Sequence, residues 1–168
     1  MFDLKLTTLK YTVDVPQEDP SKPFLIEHGC CTEAQRVALK RAQALLSADY
    51  ERDLAVIKEP LKKYKADDLI DVDERLQMTQ YVEERTERFL DDLSDLLARF
   101  AAPHVVALHN VKSAGKAVTW DDKCLGELGV SREDVLKSLG LGGDSRRANL
   151  SALCTQIIDG LKAPEKND

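Results

Sequence analysis

The stretch VDERLQMTQYVEERTERFLDDLSDLLARF, residues 72–100, carries the clearest structural statement in the chain. Val72, Leu76, Thr79, Val82, Thr86, Phe89, Leu93, Leu96 and Phe100 recur in steps of four and three, which lays one stripe along an α-helix. Leu90 and Leu97 widen the stripe in its second half. Asp71 is placed to cap the start, with Glu74 three residues on to complete a capping box. No Gly or Pro follows before Pro103. The spacing therefore predicts one continuous helix, roughly 40 Å long at the standard rise per residue, and the longest element of the fold. A stripe of that length demands cover, from its own chain or from a partner.

Just upstream, Tyr50, Leu54, Ile57, Leu61 and Tyr64 repeat the same spacing across 50–64, with Pro60 predicting a kink or a break. KADDLID (65–71) reads as the turn between the two segments, so an antiparallel helical hairpin is expected. An earlier helix opens at Thr32, with Gln35 in the capping-box position, and carries Val37, Ala38, Leu39, Ala42, Leu45 and Leu46. Further back, Leu9, Tyr11, Val13 and Val15 alternate with polar residues, and the phase slips at Thr7–Thr8. PQEDPSKP (16–23) is a loop, and Phe24 to His28 reads as a second short strand. Together they predict an N-terminal β-hairpin, too small to be stable without the helices.

Downstream of Pro103, Val105, Val106, Leu108 and Val111 favour an extended chain, SAGK (113–116) a turn, and 117–120 a returning strand. Helix through 104–109 is the competing reading. Short helices follow: one capped by Asp121 or Thr119 and ending at Gly126 or Gly129, and one opened by Ser131 with Asp134 and ending at Gly140. LGLGGDS (139–145) reads as a flexible joint. Ser145 then caps a last helix with Leu150, Leu153, Cys154, Ile157 and Leu161 inward. The fold class expected is mainly α (α+β): a helical hairpin or small bundle around one long helix, with an N-terminal β-hairpin and C-terminal short helices. Residues 1–102 form its first part, 103–162 a β-turn element and short-helix cluster packed on it, and 163–168 a disordered tail.

The chain has 168 residues, 43% of them hydrophobic and 32% charged, with a net charge of −6. That balance supplies a core and argues against general affinity for DNA or an anionic membrane, both of which need a basic face. No apolar run approaches transmembrane length. Met1-Phe2-Asp3 leads straight into a strand-like segment with no signal-peptide pattern. The four cysteines, at 30, 31, 124 and 154, match no disulfide framework. The expectation is a cytoplasmic protein with free thiols.

Chemistry is sparse. His28, Cys30 and Cys31 cluster, and His104, His109 and Cys124 are available to join them. Yet adjacent cysteines on an extended chain point apart, and no second paired motif supplies the four converging ligands of a zinc site. LGLGGDSRR (139–147) lacks the Lys-Ser/Thr of a phosphate loop and reads as a hinge and helix cap. The carboxylates of 67–95 are interleaved with Arg75, Arg85, Arg88 and Arg99, several at helical spacing, which reads as a solvated, salt-bridged face. Nothing assembles a nucleophile, a base and an oxyanion donor. No enzymatic activity, metal or cofactor is expected.

A binding role is the remaining expectation. Segment 50–64 covers barely half of the long stripe, which predicts an uncovered apolar patch at Phe89, Leu93, Leu96 and Phe100. Arg146 and Arg147, set against the dipole at the start of the last helix, point to an acidic partner. A second copy is the simplest cover for the patch, and an amphipathic helix of another protein the alternative.

The order of features also resembles the tail assembly chaperones of long-tailed bacteriophages. The resemblance runs through a β-element (LKYTVDV, then PFLIEH), a capped helix (TEAQRVALKRAQALL), a turn with an aromatic (VVALHNVKSAGKAVTW) and a last helix with a charged tail (SRRANLSALCTQIIDGLKAPEKN). Thr119 stands before Trp120 where that family carries Gly-Trp. The resemblance implies a non-enzymatic protein of the host cytoplasm that binds the tape-measure protein, or tail-tube subunits, before assembly. Two other readings fit the composition: a small acidic inhibitor or regulator of a nucleic-acid enzyme, and a structural subunit of a larger particle. An enzyme of another kind would need a polar pocket near His104 or His109.

Overall fold

The structure is a computed structural model that describes residues 8–13, 22–61, 72–113, 116–139 and 143–160. The chain divides into two compact units, Met1–Val37 with Leu97–Asp168, and Ala38–Leu96. Its elements run β1 (Leu9–Thr12), β2 (Leu25–His28), α1 (Glu33–Leu61), α2 (Val72–Ala101), a 3-10 turn (Ala102–His104), β3 (Val105–His109), β4 (Lys112–Ser113), β5 (Lys116–Ala117), α3 (Asp122–Leu128), α4 (Arg132–Lys137) and α5 (Gly143–Asp159). The fold is mainly α with a small antiparallel β-element.

In the first unit, the N-terminal hairpin and a strand that follows α2 share one sheet. The N-terminal hairpin pairs Tyr11 with Ile26 across β1 and β2. β3 then adds antiparallel on the other side of β2, with Ile26 opposite Leu108 and His28 opposite Val105. The 105–109 segment is thus strand, as its β-branched residues favour. Val105 and Leu108 lie three positions apart and would face opposite sides of a regular strand. The register shifts between Glu27 and His28, which accommodates the odd step and puts both side chains on the buried face while Val106 points outward. Tyr11, Val13, Ile26, His28, Val105 and Leu108 are all buried.

α5 supplies the apolar cover for this unit's core. Leu150, Leu153, Cys154 and Ile157 are buried along one side of it, as their spacing predicts. Tyr11 donates its hydroxyl to Asn149 Oδ1 at 2.8 Å, and the backbone N–H of Cys31 donates to the Ile157 carbonyl at 3.2 Å. The Cys154 thiol donates to the Leu97 carbonyl at 3.5 Å. These ties make α5 a packed part of the core. Ser145 lies within α5, which begins at Gly143, so it is not the residue that precedes the helix; 140–142 lie outside the described residues.

The short helices are set by their caps. Asp121 accepts from the Cys124 N–H at 2.8 Å to start α3, and Gly129 ends it in the left-handed region at φ 68°. Ser131 and Asp134 form a reciprocal capping box on α4. At the start of α1, the Gln35 N–H donates to Thr32 Oγ1 at 3.3 Å while Gln35 Oε1 accepts from the Thr32 N–H at 2.8 Å. Each of these boxes is local chemistry, so each is legible in sequence.

α2 is one unbroken helix of 30 residues, against 29 in α1, and most of each belongs to the second unit. The two segments expected at 33–46 and 50–64 are a single helix, because Ser47, Ala48 and Asp49 contain no breaker. Its described span, Glu33–Leu61, runs through Pro60; residues 62–71, with Tyr64 and Asp71, lie outside the described residues. Tyr50 stacks on Phe89 and Asp53 pairs with Arg85, so α1 and α2 run antiparallel in this unit.

Candidate interaction surface

The seam between α1 and α2 is narrow and half polar. The Tyr50 and Phe89 rings stack with centroids 4.5 Å apart. Thr86 spends its hydroxyl proton on the Val82 carbonyl at 2.7 Å, so Tyr50 donates in the 2.9 Å bond between the two hydroxyls. Arg85 reaches Asp53 at 3.2 Å and lies over the Tyr81 ring. An open groove of about 360 Å³ runs beside the stacked pair, where Arg85 and Arg88 face Asp49, Asp53 and Asp92. Its charges are largely matched from within.

Cover is scarce. Among the described residues of Ala38–Leu96, Leu39 is the one buried side chain. Phe89, Leu93 and Leu96 are half-buried here, and Phe100, in the other unit, is also half-buried, its ring tilted against His104 at 5.4 Å. The exposed apolar surface lies elsewhere: Leu45 is 61% exposed, Val56 67%, Val72 78% and Leu76 54%.

These residues sit on two rows. On α1, Arg41, Ala44, Ala48, Arg52 and Ala55 are exposed at steps of three and four, with Leu45 and Val56 beside them. This is a second apolar row on a helix that already turns Leu39, Leu46 and Tyr50 the other way. On α2, Val72, Leu76, Gln80, Glu83, Glu87 and Asp91 are exposed at the same steps. The first row carries Arg41 and Arg52, the latter paired with Asp49 on its own helix at 2.9 Å, and the second carries carboxylates. The ion pairs expected along α2 are realised for Arg88 with Asp92, at 4.0 Å.

Arg146 is exposed at the start of α5, and Arg147 pairs with Asp144 at 2.5 Å, a bond within the helix's own first turn. Neither arginine belongs to the unit that carries the exposed rows.

The histidines and cysteines do not converge. His28 is fully buried, its Nδ1–H donating to the Gly29 carbonyl at 2.8 Å and its Nε2 3.2 Å from Gln156 Oε1. His104 is held below the usual histidine range by burial and then by the charge of His28. His109 lies 3.1 Å from Glu27, whose carboxyl is held low first by the Thr8 hydroxyl and then by His109. Cys30 is exposed, Cys31 buried, and Cys124 Sγ accepts from the Thr119 N–H at 3.4 Å. Among the described residues, no group of three His, Cys, Asp or Glu side chains is placed to hold a metal ion. No described helix is long and apolar enough to cross a membrane.

Compared with protein-family models, with curated proteins and with solved structures, the chain finds no match.

Proposed function

We propose that this protein acts by binding another protein through the exposed rows of its helical hairpin, and not by catalysis. One observation carries the reading: Ala38–Leu96 has a single buried side chain among its described residues, while Leu45, Val56, Val72 and Leu76 are each more than half exposed. Two helices with so little shared core are marginal in water, and a protein partner supplies the missing burial. At ~25 cal/mol per Å² of apolar surface, covering four such side chains contributes several kcal/mol. The finer form of the proposal is assembly chaperoning of a phage tail, with the tape-measure protein as partner, in the host cytoplasm. The order of β-element, capped helix, turn with Trp120 and charged C-terminal segment supports that form.

A second reading has its own observation. The carboxylates Glu83, Glu84, Glu87 and Asp91 are exposed on α2, as suits an acidic regulator of a nucleic-acid enzyme. A photo-crosslinking residue at position 45, 56 or 76, with position 106 as control, tests the reading. Crosslinks to another protein chain from the hairpin positions but not from 106 support it. Equal yields at all four positions would sink it.

A further inference from the structure

α2 is one helix in two environments. Its buried residues, Leu97, Ala98 and Ala101, all fall in its last five positions. There the Leu97 carbonyl accepts from the thiol of Cys154 on α5, where Leu153 and Ile157 are fully buried. From Val72 to Leu96 no described side chain is buried, and Val72 and Leu76 are each more than half exposed. α1 shows the same contrast: Leu39 near its start is buried, and no described side chain of α1 after it is. Beyond Leu39 and Leu97 the seam rests on half-buried side chains, joined by the Tyr50–Phe89 stack, the Tyr50–Thr86 hydrogen bond and the Arg85–Asp53 pair. Asp53 is 46% exposed and Arg85 32%, and an ion pair so open to solvent contributes little. Thr79, Thr86 and Ser94 each donate to the carbonyl four positions back, which slightly weakens α2 itself.

We infer that the hairpin beyond Leu39 and Leu97 opens in a step of its own while the sheet-bearing unit stays folded. The free energy that resists opening a segment grows with the apolar surface the segment buries, so regions of one chain open at different free energies. Ile26, Leu136, Leu150, Leu153 and Ile157 supply that resistance in the first unit, whereas the hairpin has only its half-buried seam. The continuous backbone of α2 does not equalise the two, because a helix frays from its ends and Val72 lies at the end away from the buried turn. For its role, the inference rests on the hairpin being the protein-binding surface. The partner then binds the closed form, and apparent affinity falls in proportion to the fraction that is closed. Tyr50 on Phe89 is the latch: a change that holds it shut tightens binding, and one that loosens it weakens binding.

Hydrogen exchange on the full chain, with no partner present and read by mass spectrometry, tests the inference. Corrected for intrinsic rates, the hydrogen-bonded amides of 40–57 and 76–93 should exchange at least about tenfold faster than those of 25–28, 97–101 and 150–157, a ratio that corresponds to about 1.4 kcal/mol. Tyr50→Ala should speed exchange in the hairpin and leave the other segments unchanged. Ile157→Val, which removes one buried methyl group from the sheet-bearing unit, should do the reverse. A single rate along the whole of α2 overturns the inference. So does a Tyr50→Ala protein in which both units exchange faster together, or in which the whole fold is lost. If the hairpin exchanges in step with the rest while position 45 or 76 still crosslinks to another protein, opening is refuted and the binding reading stands. Early exchange in a protein that gives no such crosslinks leaves the opening standing and removes the binding reading.

Discussion

Tyr50 stacks on Phe89 at 4.5 Å while its hydroxyl donates to Thr86, and this pair joins the two long helices across 39 positions of sequence. It is the best-formed contact in a seam with little else apolar. Aromatic pairs add about 0.5–1.5 kcal/mol beyond area burial, and a neutral hydrogen bond a similar amount. Tyr50→Phe should therefore destabilise the hairpin by about 1 kcal/mol, and Tyr50→Ala by more. Urea unfolding followed by far-ultraviolet circular dichroism measures both; equal stability of wild type and Tyr50→Ala would show that the stack does not hold the hairpin.

The two units should respond oppositely to apolar truncation. Leu153 and Ile157 are fully buried in the sheet-bearing unit, so Leu153→Ala should cost about 2–5 kcal/mol. Leu45 and Val56 are mostly exposed, so Leu45→Ala or Val56→Ala should stay within about 0.5 kcal/mol in the isolated chain at low concentration. Thermal melts of the three variants at one concentration give the comparison. A large loss for Val56→Ala would mean that its side chain is covered in solution.

Acidification should lower stability through His104. Burial, then the nearby His28 charge, keeps its folded value below the ordinary 6.5, so the unfolded chain takes up the proton first. Its contribution is complete above that ordinary value and is lost as pH falls toward the folded one. Glu27, held below 4.5 by Thr8 and then His109, adds a loss of the same sign at lower pH. Melting temperature should decline below about pH 6.5, and His104→Gln should flatten that first decline. An unchanged profile in His104→Gln would assign the dependence to other groups.

Thiol labelling should be ordered. Cys30 is exposed and Cys124 partly so, whereas burial pushes the Cys31 thiol up and the Cys154 thiol up to about 12. Only the thiolate alkylates. Iodoacetamide at pH 8 should modify Cys30 first and Cys124 next, with Cys31 and Cys154 protected until denaturant is added. Mass mapping that finds Cys154 labelled in the native protein would contradict the packing of α5.

Local chemistry was legible in the residues themselves. The stripe of 72–100 specifies one helix because every position satisfies the helical period and none breaks it. Thr32 with Gln35, Asp121 ahead of Cys124, and Ser131 with Asp134 specify caps because the partners lie within one turn. The inward row Leu150, Leu153, Cys154 and Ile157 follows from the same period.

Tertiary structure decided what depends on distant partners. That β3 joins the N-terminal hairpin through Ile26 and Leu108, with a register shift that turns Val105 inward, follows from pairing across 82 positions, which no local period encodes. The same holds for which apolar row is covered. Phe89, Leu93 and Leu96 have the same periodicity as Val72 and Leu76, yet the first group is half-buried, with Tyr50 of α1 on Phe89, and the second is exposed. Sequence shows that a helix has an apolar side; only the placement of its neighbour, fixed here by Tyr50 on Phe89 and Asp53 on Arg85, decides how much of that side is used.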